Sequence, residues 1–304
     1  MAKTSIEWCD HSINPIRARL NGRTGHHCVK ISAGCTNCYA SKLQSRFGMP
    51  PYQANRRHDA ELFLHAPALE EVRSRKKPTR YFWCDMTDMF LDEVPREWWK
   101  AINGVWLDTP QHVHMVLTKR PHTMLQYFSE DSPPPNVWAG VSIEDQATAD
   151  ERIPILLQTP AAVRFVSYEP ALGPVDLQRI GVHDDPLRPS IRTWGMNALN
   201  GACQSLDGAD YGIGAKLDWV ICGGESGPGA RPCDLAWIRS IKEQCQAAGV
   251  PVFVKQLGKY VCDGQPPNLH QIGWLKDKKG GDIREFPEDL RVREFPVMAG
   301  TPRE

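Results

Sequence analysis

Six or seven short apolar runs, each followed by a stretch of helical period, constrain this chain more than any other feature. They lie at 81–84, 113–117, 137–141, 163–166, 219–222 and 250–254, with residues 6–16 as a first strand ending at Asn14-Pro15. Between them, 96–107 places Trp98, Trp99, Ile102, Val105 and Trp106 at helical spacing. Pro121 opens a helix at its favoured first position, with Met124, Leu125 and Phe128 inward. Another helix runs through Leu157, and Asp234 caps one that carries Leu235, Ile238, Ile241 and Cys245 and closes at Gly249. Continuous apolar runs alternating with amphipathic helices indicate parallel strands covered by helices.

A doubly wound sheet and a barrel both satisfy that alternation. The strand ends favour the barrel. The runs end in Asp85, in Thr118-Lys119-Arg120, in Ser142 and Glu144, in Ser167-Tyr168-Glu169, in Gly223-Gly224-Glu225-Ser226, and in Lys255-Gln256. In a βα-barrel the C-terminal strand ends build the active-site face. The expected fold is therefore α/β, a (β/α) barrel, partial or full TIM-like, over residues 1–258. A C-terminal extension, 259–304, packs on it. Residues 181–216, with His183-Asp184-Asp185-Pro186, read as an inserted, partly irregular excursion between two strands and a candidate lid. Residues 17–25 read as a loop, 39–47 as a short helix, and 59–75 as a helix with Leu62, Leu69 and Val72 on one side.

No run of about eighteen apolar residues spans a membrane, and the N-terminus has no apolar signal region. The expected compartment is the cytoplasm, where cysteines are more often metal ligands or core residues than disulfides. Lys+Arg and Asp+Glu are 36 each, so overall charge does not direct the chain to nucleic acid or to an anionic membrane. Two local basic clusters stand out, Arg56-Arg57 and 73–77. The second suits a helix C-terminus without any ligand. Cys84, Cys222 and Cys245 sit in apolar runs and read as buried and inert.

Cys28, Cys35 and Cys38 fall within eleven residues, with gaps of six and two. One reading is a structural zinc loop with His26, His27 or Cys9 as fourth ligand. The other is a 4Fe–4S cluster held by three cysteines, leaving one iron for a cofactor. Position favours the second, because the loop follows the first strand at the mouth of the expected barrel. The arrangement resembles the radical S-adenosylmethionine (SAM) superfamily, and more closely a phage-encoded three-cysteine-motif family within it. The matching residues are Trp8, Asn14-Pro15, Cys28, Ser32, Gly34, Cys35 and Cys38-Tyr39, then Leu117-Thr118-Lys119-Arg120-Pro121. Val137-Trp138-x-Gly140-Val141-Ser142, Glu169-Pro170-x-x-Gly173-Pro174, 223–232 and Phe253-Val254-Lys255-Gln256 complete it. The superfamily's commonest loop has gaps of three and two. Its Gly-Gly-Glu comes early, whereas here it falls at 223–225, so that role is not carried over.

The resemblance implies that Cys28, Cys35 and Cys38 ligate three irons and that the fourth binds SAM. An electron donor then drives SAM cleavage to a 5′-deoxyadenosyl radical, which abstracts hydrogen from the substrate. Tyr39, Asp85, Arg120, Ser142 and Glu144 are candidates for cofactor binding. Lys119, Glu169, Glu225 and Lys255 are candidates for catalysis, and 223–229 for close backbone approach to a ligand. Each strand-end charge is equally explained by an ordinary salt bridge, and the tryptophans of 98–106 by core packing. The implied partner is nucleic acid or a modified nucleotide. The implied reaction is rearrangement of an amino-acid-modified thymidine in phage DNA hypermodification. A DNA repair enzyme of the spore-photoproduct-lyase type and a non-catalytic, zinc-stabilised nucleic-acid-binding protein are the alternatives.

Overall fold

The structure, a computed structural model, describes residues 4, 6–54, 60–181, 194–205, 210–263 and 275–297. All seven apolar runs form strands of one sheet: β1 (His11–Ile13), β2 (Arg80–Trp83), β3 (Val113–Thr118), β4 (Val137–Ile143), β5 (Val163–Tyr168), β6 (Trp219–Gly223) and β7 (Val252–Gln256). They lie in the sheet in chain order, β1-β2-β3-β4-β5-β6-β7, and the pairings within β1–β4 and within β5–β7 are parallel. Chain order without a reversal is barrel connectivity. A doubly wound sheet turns back at a switch point. Every residue of β4 and of β6 is buried, which is why those runs are continuously apolar instead of alternating.

The barrel does not close. The far side of β7 is occupied by the C-terminal segment, where Val254 N–H donates to Val292 O (2.9 Å) and Glu294 N–H to Val252 O (3.0 Å). That edge is covered by the chain's own tail, so the partial form of the expected barrel is the one adopted.

By compactness the chain divides into two units. One is Met1–Ser142 with Gln158–Ala162, and the other is Ile143–Leu157 with Val163–Glu304. In the first unit, α1 (Tyr39–Leu43), α2 (Ala66–Ser74), α3 (Arg96–Asp108) and α4 (Pro121–Glu130) follow the strands. Trp99 and Trp106 are buried, and Trp106 meets Trp83 edge-on at 5.7 Å, so these tryptophans are core. In the second unit, α5 (Gln146–Gln158) and α6 (Leu235–Ala248) do the same. Asp234 caps α6 by accepting from Ala236 N–H at 2.9 Å, and Gly249 ends it at φ 65°. Among the described residues no helix is long and apolar enough to cross a membrane.

Three local expectations are corrected. The first strand is only His11–Ile13, because residues 7 and 8 form a turn before it. The expected loop 17–25 is instead a hairpin, in which Ile16–Leu20 pairs antiparallel with Arg23–Gly25; Asn21 (φ 49°) and Gly22 (φ 74°) supply its left-handed turn. The expected helix over 59–75 is split: Glu61–Leu64 pairs with the hairpin, and α2 begins at Ala66 with Pro67 in its first turn. The regular part of the partly irregular insertion is a three-stranded antiparallel sheet of Trp194–Met196, Ala202–Ser205 and Asp210–Ile213. His183 to Pro186, like Arg56 and Arg57, lie outside the described residues.

His114, fully buried on β3, makes a pH prediction. Trp83 Nε1–H donates to its Nδ1 (3.1 Å), so its own proton sits on Nε2, facing Thr109 Oγ1 (2.9 Å). Burial, reinforced by His112, pushes its pKa down to about 3. A group depressed in the folded state stabilises above its unfolded pKa and loses that contribution as pH falls. The window therefore runs from about 6.5 down to about 3, and about 2 kcal/mol is gone by pH 5. Urea unfolding at pH 7 and pH 5 measures it. His114→Asn is expected to shrink the loss by that amount, and an equal loss in the variant would refute the assignment.

Candidate functional site

The cysteine loop is built within the first unit. After the hairpin, Val29–Lys30 pairs in parallel with Gln53–Ala54. The chain then makes a single 3-10 turn, Ala33–Cys35, and enters α1 with Cys38 at its N-terminal boundary. Cys28 and Cys38 pack on one buried cluster of Ala40, Tyr52 and Met86. The thiols are near enough to act on one another's ionisation, Cys38 on Cys28 and Cys35 on Cys38.

Two polar clamps hold this loop against the strand ends. Asp88, with its side chain 9% exposed, accepts from Thr118 Oγ1 (2.8 and 2.9 Å), Lys119 N–H (3.2 Å) and Arg120 Nη1 (3.2 Å). The other arm of Arg120 donates to the Val29 carbonyl at 3.1 Å, one residue past Cys28. The second clamp follows from register. Ile13 pairs with Trp83, so Asn14 and Asp85 leave their strands side by side. Cys84 bends between them at φ 60°. Asn14 Nδ2 donates to Asp85 Oδ1, and Met86 N–H donates to Asn14 Oδ1 (3.0 Å). Tyr39 hydroxyl donates to the Asp85 carbonyl (2.8 Å) and lies 3.1 Å from its Oδ2.

The three thiols are electrostatically unequal. Burial pushes Cys28 up to about 12, with Asp88 adding to it, and burial likewise raises Cys38. Cys35 goes the other way. Burial opposes ionisation there too, but the Lys119 ammonium and hydrogen bonds from the Ile31–Ser32 turn outweigh it, and the thiol is lowered. Lys119 Nζ reaches Ser32 Oγ at 3.4 Å, and Ser32 Oγ lies 3.7 Å from Cys35 Sγ. Burial of the Tyr39 hydroxyl, with Asp85 beside it, raises that phenol. Among the described residues no three His, Cys, Asp or Glu side chains converge closely enough to hold a single metal ion. Cys9 is buried and turned toward the Ile6 carbonyl at 3.9 Å.

The remaining candidates fall into separate contacts. Ser142 is buried at the end of β4. In the second unit, Glu144 is wholly buried against Arg152 (3.2 Å). Glu169 accepts from Lys255 Nζ at 3.1 Å, with Ser167 Oγ at 3.3 Å. Glu225 is bound by Arg231 through its backbone N–H (2.8 Å), Nε (3.0 Å) and Nη2 (2.8 Å). The glycines at 223 and 224 serve this packing. A Cβ on Gly223 would meet Gln256 O at 2.8 Å and Glu169 Oε1 at 2.9 Å, and one on Gly224 would meet Leu257 O at 2.2 Å. Cys84, Cys222 and Cys245 are buried as expected, each thiol raised chiefly by burial.

The structure thus brings Cys28, Cys35, Cys38, Tyr39, Asp85, Lys119 and Arg120 together in one unit, and Glu169 with Lys255 in the other. Sequence reasoning missed Asp88 and Ser32 as site residues. Asp88 was in reach through its spacing, three residues past a strand-end aspartate. Arg73, in the second basic cluster, pairs with Glu70 (2.6 Å) and Asp108 (2.9 Å), in keeping with the helix-terminus reading. The sequence model of the family described as "Protein of unknown function (DUF5131)" matches residues 3–288. No curated protein and no solved structure matches the chain.

Proposed function

The chain belongs to the DUF5131 family of unknown function, and we propose that it is a radical SAM enzyme whose Cys28, Cys35 and Cys38 hold a 4Fe–4S cluster. The carrying observation is three neighbouring free thiols on one loop, clamped at the ends of β1–β3. A structural zinc takes four protein ligands. Three cysteines on one loop are the donor set of a cluster that keeps one iron open to a cofactor. When bound, the cluster supplies the electron for reductive cleavage of SAM.

The protein's own groups have definable tasks on this reading. Lys119 favours thiolate at Cys35, the form in which cysteine binds a metal. Arg120 is a positioning residue: with one arm on Asp88 and the other on the Val29 carbonyl, it fixes the entry to the loop and is not offered to the SAM carboxylate. Asp85 and Tyr39 restrain α1 where it leaves Cys38. In the other unit, the Glu169–Lys255 pair is a polar group set at strand ends that suits substrate binding. The hydrogen donor is a modified base in DNA, as the resemblance implies.

Anaerobic reconstitution tests the reading. The expected product is a brown protein absorbing near roughly 400 nm that converts SAM to 5′-deoxyadenosine when reduced. Cys35→Ala should abolish both colour and cleavage while leaving the unfolding midpoint within about 0.5 kcal/mol of wild type, because a partly exposed thiol contributes little to the core. A colourless protein with stoichiometric zinc would sink the proposal, and general unfolding of Cys35→Ala would indicate a structural metal instead.

A further inference from the structure

Charge is unevenly distributed in a chain whose total is zero. Residues 11–58 contain eight basic residues, at 17, 19, 23, 30, 42, 46, 56 and 57, and no Asp or Glu. Six of them are described: Arg17, Arg19 and Arg23 on the hairpin, Lys30 in the cysteine loop, and Lys42 and Arg46 after it. α1 continues directly into a 3-10 turn, Gln44–Phe47. Tyr39 and Lys42, three apart on α1, are neighbours on it, Arg46 follows on the 3-10 turn, and all three are exposed. Phe47 follows, 43% exposed, with an edge on His26. Arg23 joins the same end from the hairpin by donating to the Gly48 carbonyl at 2.9 Å. Ile31 and Tyr39 are 45% and 48% exposed. Three of the large apolar side chains left exposed in the first unit therefore lie within seventeen residues of acid-free sequence.

Among the described residues, Asp85 meets the Tyr39 hydroxyl and Glu61 lies 3.8 Å from Arg19. In the second basic cluster, Arg73 meets Glu70 and Asp108. Cations alone make a solvated face. Cations interleaved with exposed aromatic rings match a strand whose phosphates meet the charges and whose bases stack on the rings.

We propose that the Tyr39–Phe47 face is a binding surface for single-stranded nucleic acid, or for a strand opened locally, with Arg23, Lys42 and Arg46 on phosphates and Phe47 as a base-stacking ring. It deepens the cluster reading by giving the substrate a seat beside Cys38, and it rests on that reading for what the binding serves, not for the binding itself. The test is fluorescence anisotropy of a labelled 20-nucleotide single-stranded DNA, titrated with full-length protein across a salt series. Lys42→Gln/Arg46→Gln is expected to weaken binding at least about tenfold and to lower the salt slope by about 1.4, two phosphate contacts at about 0.7 each. Phe47→Ala is expected to weaken it about tenfold without changing that slope. Lys76→Gln/Lys77→Gln, with an unchanged melting curve, is the control and should bind as wild type.

Unchanged affinity in the double variant overturns the proposal. So does capture on phosphatidylserine vesicles with no oligonucleotide bound at about 50 mM salt, which would make the face a lipid surface. Binding is read without the cluster, so the two readings fail separately. If Cys35→Ala binds DNA but reconstituted wild type never cleaves SAM, the cluster falls and the surface stands. If SAM is cleaved while the double variant keeps full affinity, the surface falls and the cluster stands.

Discussion

Glu144→Ala is expected to destabilise the protein by about 3–5 kcal/mol, the cost of leaving a buried charge without its partner. Glu144 and Arg152 are 0% and 2% exposed, with Nη1 and Oε2 3.2 Å apart. A second carboxylate near Arg152, Glu151, is 60% exposed and 3.9 Å away, too wet and too long to replace Glu144. The backbone contacts of residue 144, from its N–H to Thr148 Oγ1 (2.8 Å) and from Leu172 N–H to its carbonyl (2.8 Å), survive the substitution. The loss therefore reports the side chain. Replacing both residues with apolar side chains of similar length, Glu144→Met/Arg152→Met, should recover most of it, because no charge then remains to be desolvated. Guanidinium unfolding of the three variants measures this. A cost below about 1 kcal/mol for Glu144→Ala would mean that water reaches Arg152 and that the pair is not buried in solution. The result also bears on function, since a carboxylate sealed against its own arginine is a brace for α5 and not a seat for a cofactor.

Asp88→Ala should be comparably damaging, by about 3 kcal/mol, and should act on the cysteine loop as well. The substitution orphans the Thr118 hydroxyl, the Lys119 N–H and one arm of Arg120, a guanidinium only 13% exposed. Arg120 then has no anchor from which to reach the Val29 carbonyl beside Cys28. Amide hydrogen exchange over residues 28–38 is expected to quicken even where global unfolding is negligible, a local opening. Reconstituted iron content should drop with it. Asp88→Asn keeps the acceptor oxygen and loses only the charge, so it should retain part of both. If exchange in the loop is unchanged in Asp88→Ala, the clamp does not position the cysteines and Arg120 regains its candidacy for ligand binding.

Much of the fold was legible because burial writes itself into local pattern. A strand covered on both faces must be apolar throughout, so β4 and β6 announce themselves as runs. A helix with one covered side must repeat at three and four, which picks out Trp99, Ile102 and Trp106. Where a segment is neither, the pattern misleads. Glu61–Leu64 has a helix-compatible spacing with Leu69 and Val72, yet it pairs with Ile16–Leu20. The hairpin partner lies some forty residues away in sequence, and no local window contains it.

The site divides along the same line. Sequence alone determined that three cysteines share a loop, that charged residues end the strands, and that residues 11–58 carry cations without anions. Tertiary structure alone decided what each strand-end charge faces. Lys119 meets Ser32 across 87 residues, Arg120 meets Val29 across 91, and Lys255 meets Glu169 across 86. Glu144 turns inward to Arg152 only eight residues on, and only because α5 folds back over it. The same holds for closure. Chain order in the sheet follows from the rhythm of strands and helices, but β7 is capped by residues 292–294, so the barrel stays open. The physical reason is common to both: hydrophobic patterning reports which side of an element is covered, whereas a charge or an edge strand takes whichever partner long-range register brings within hydrogen-bond reach.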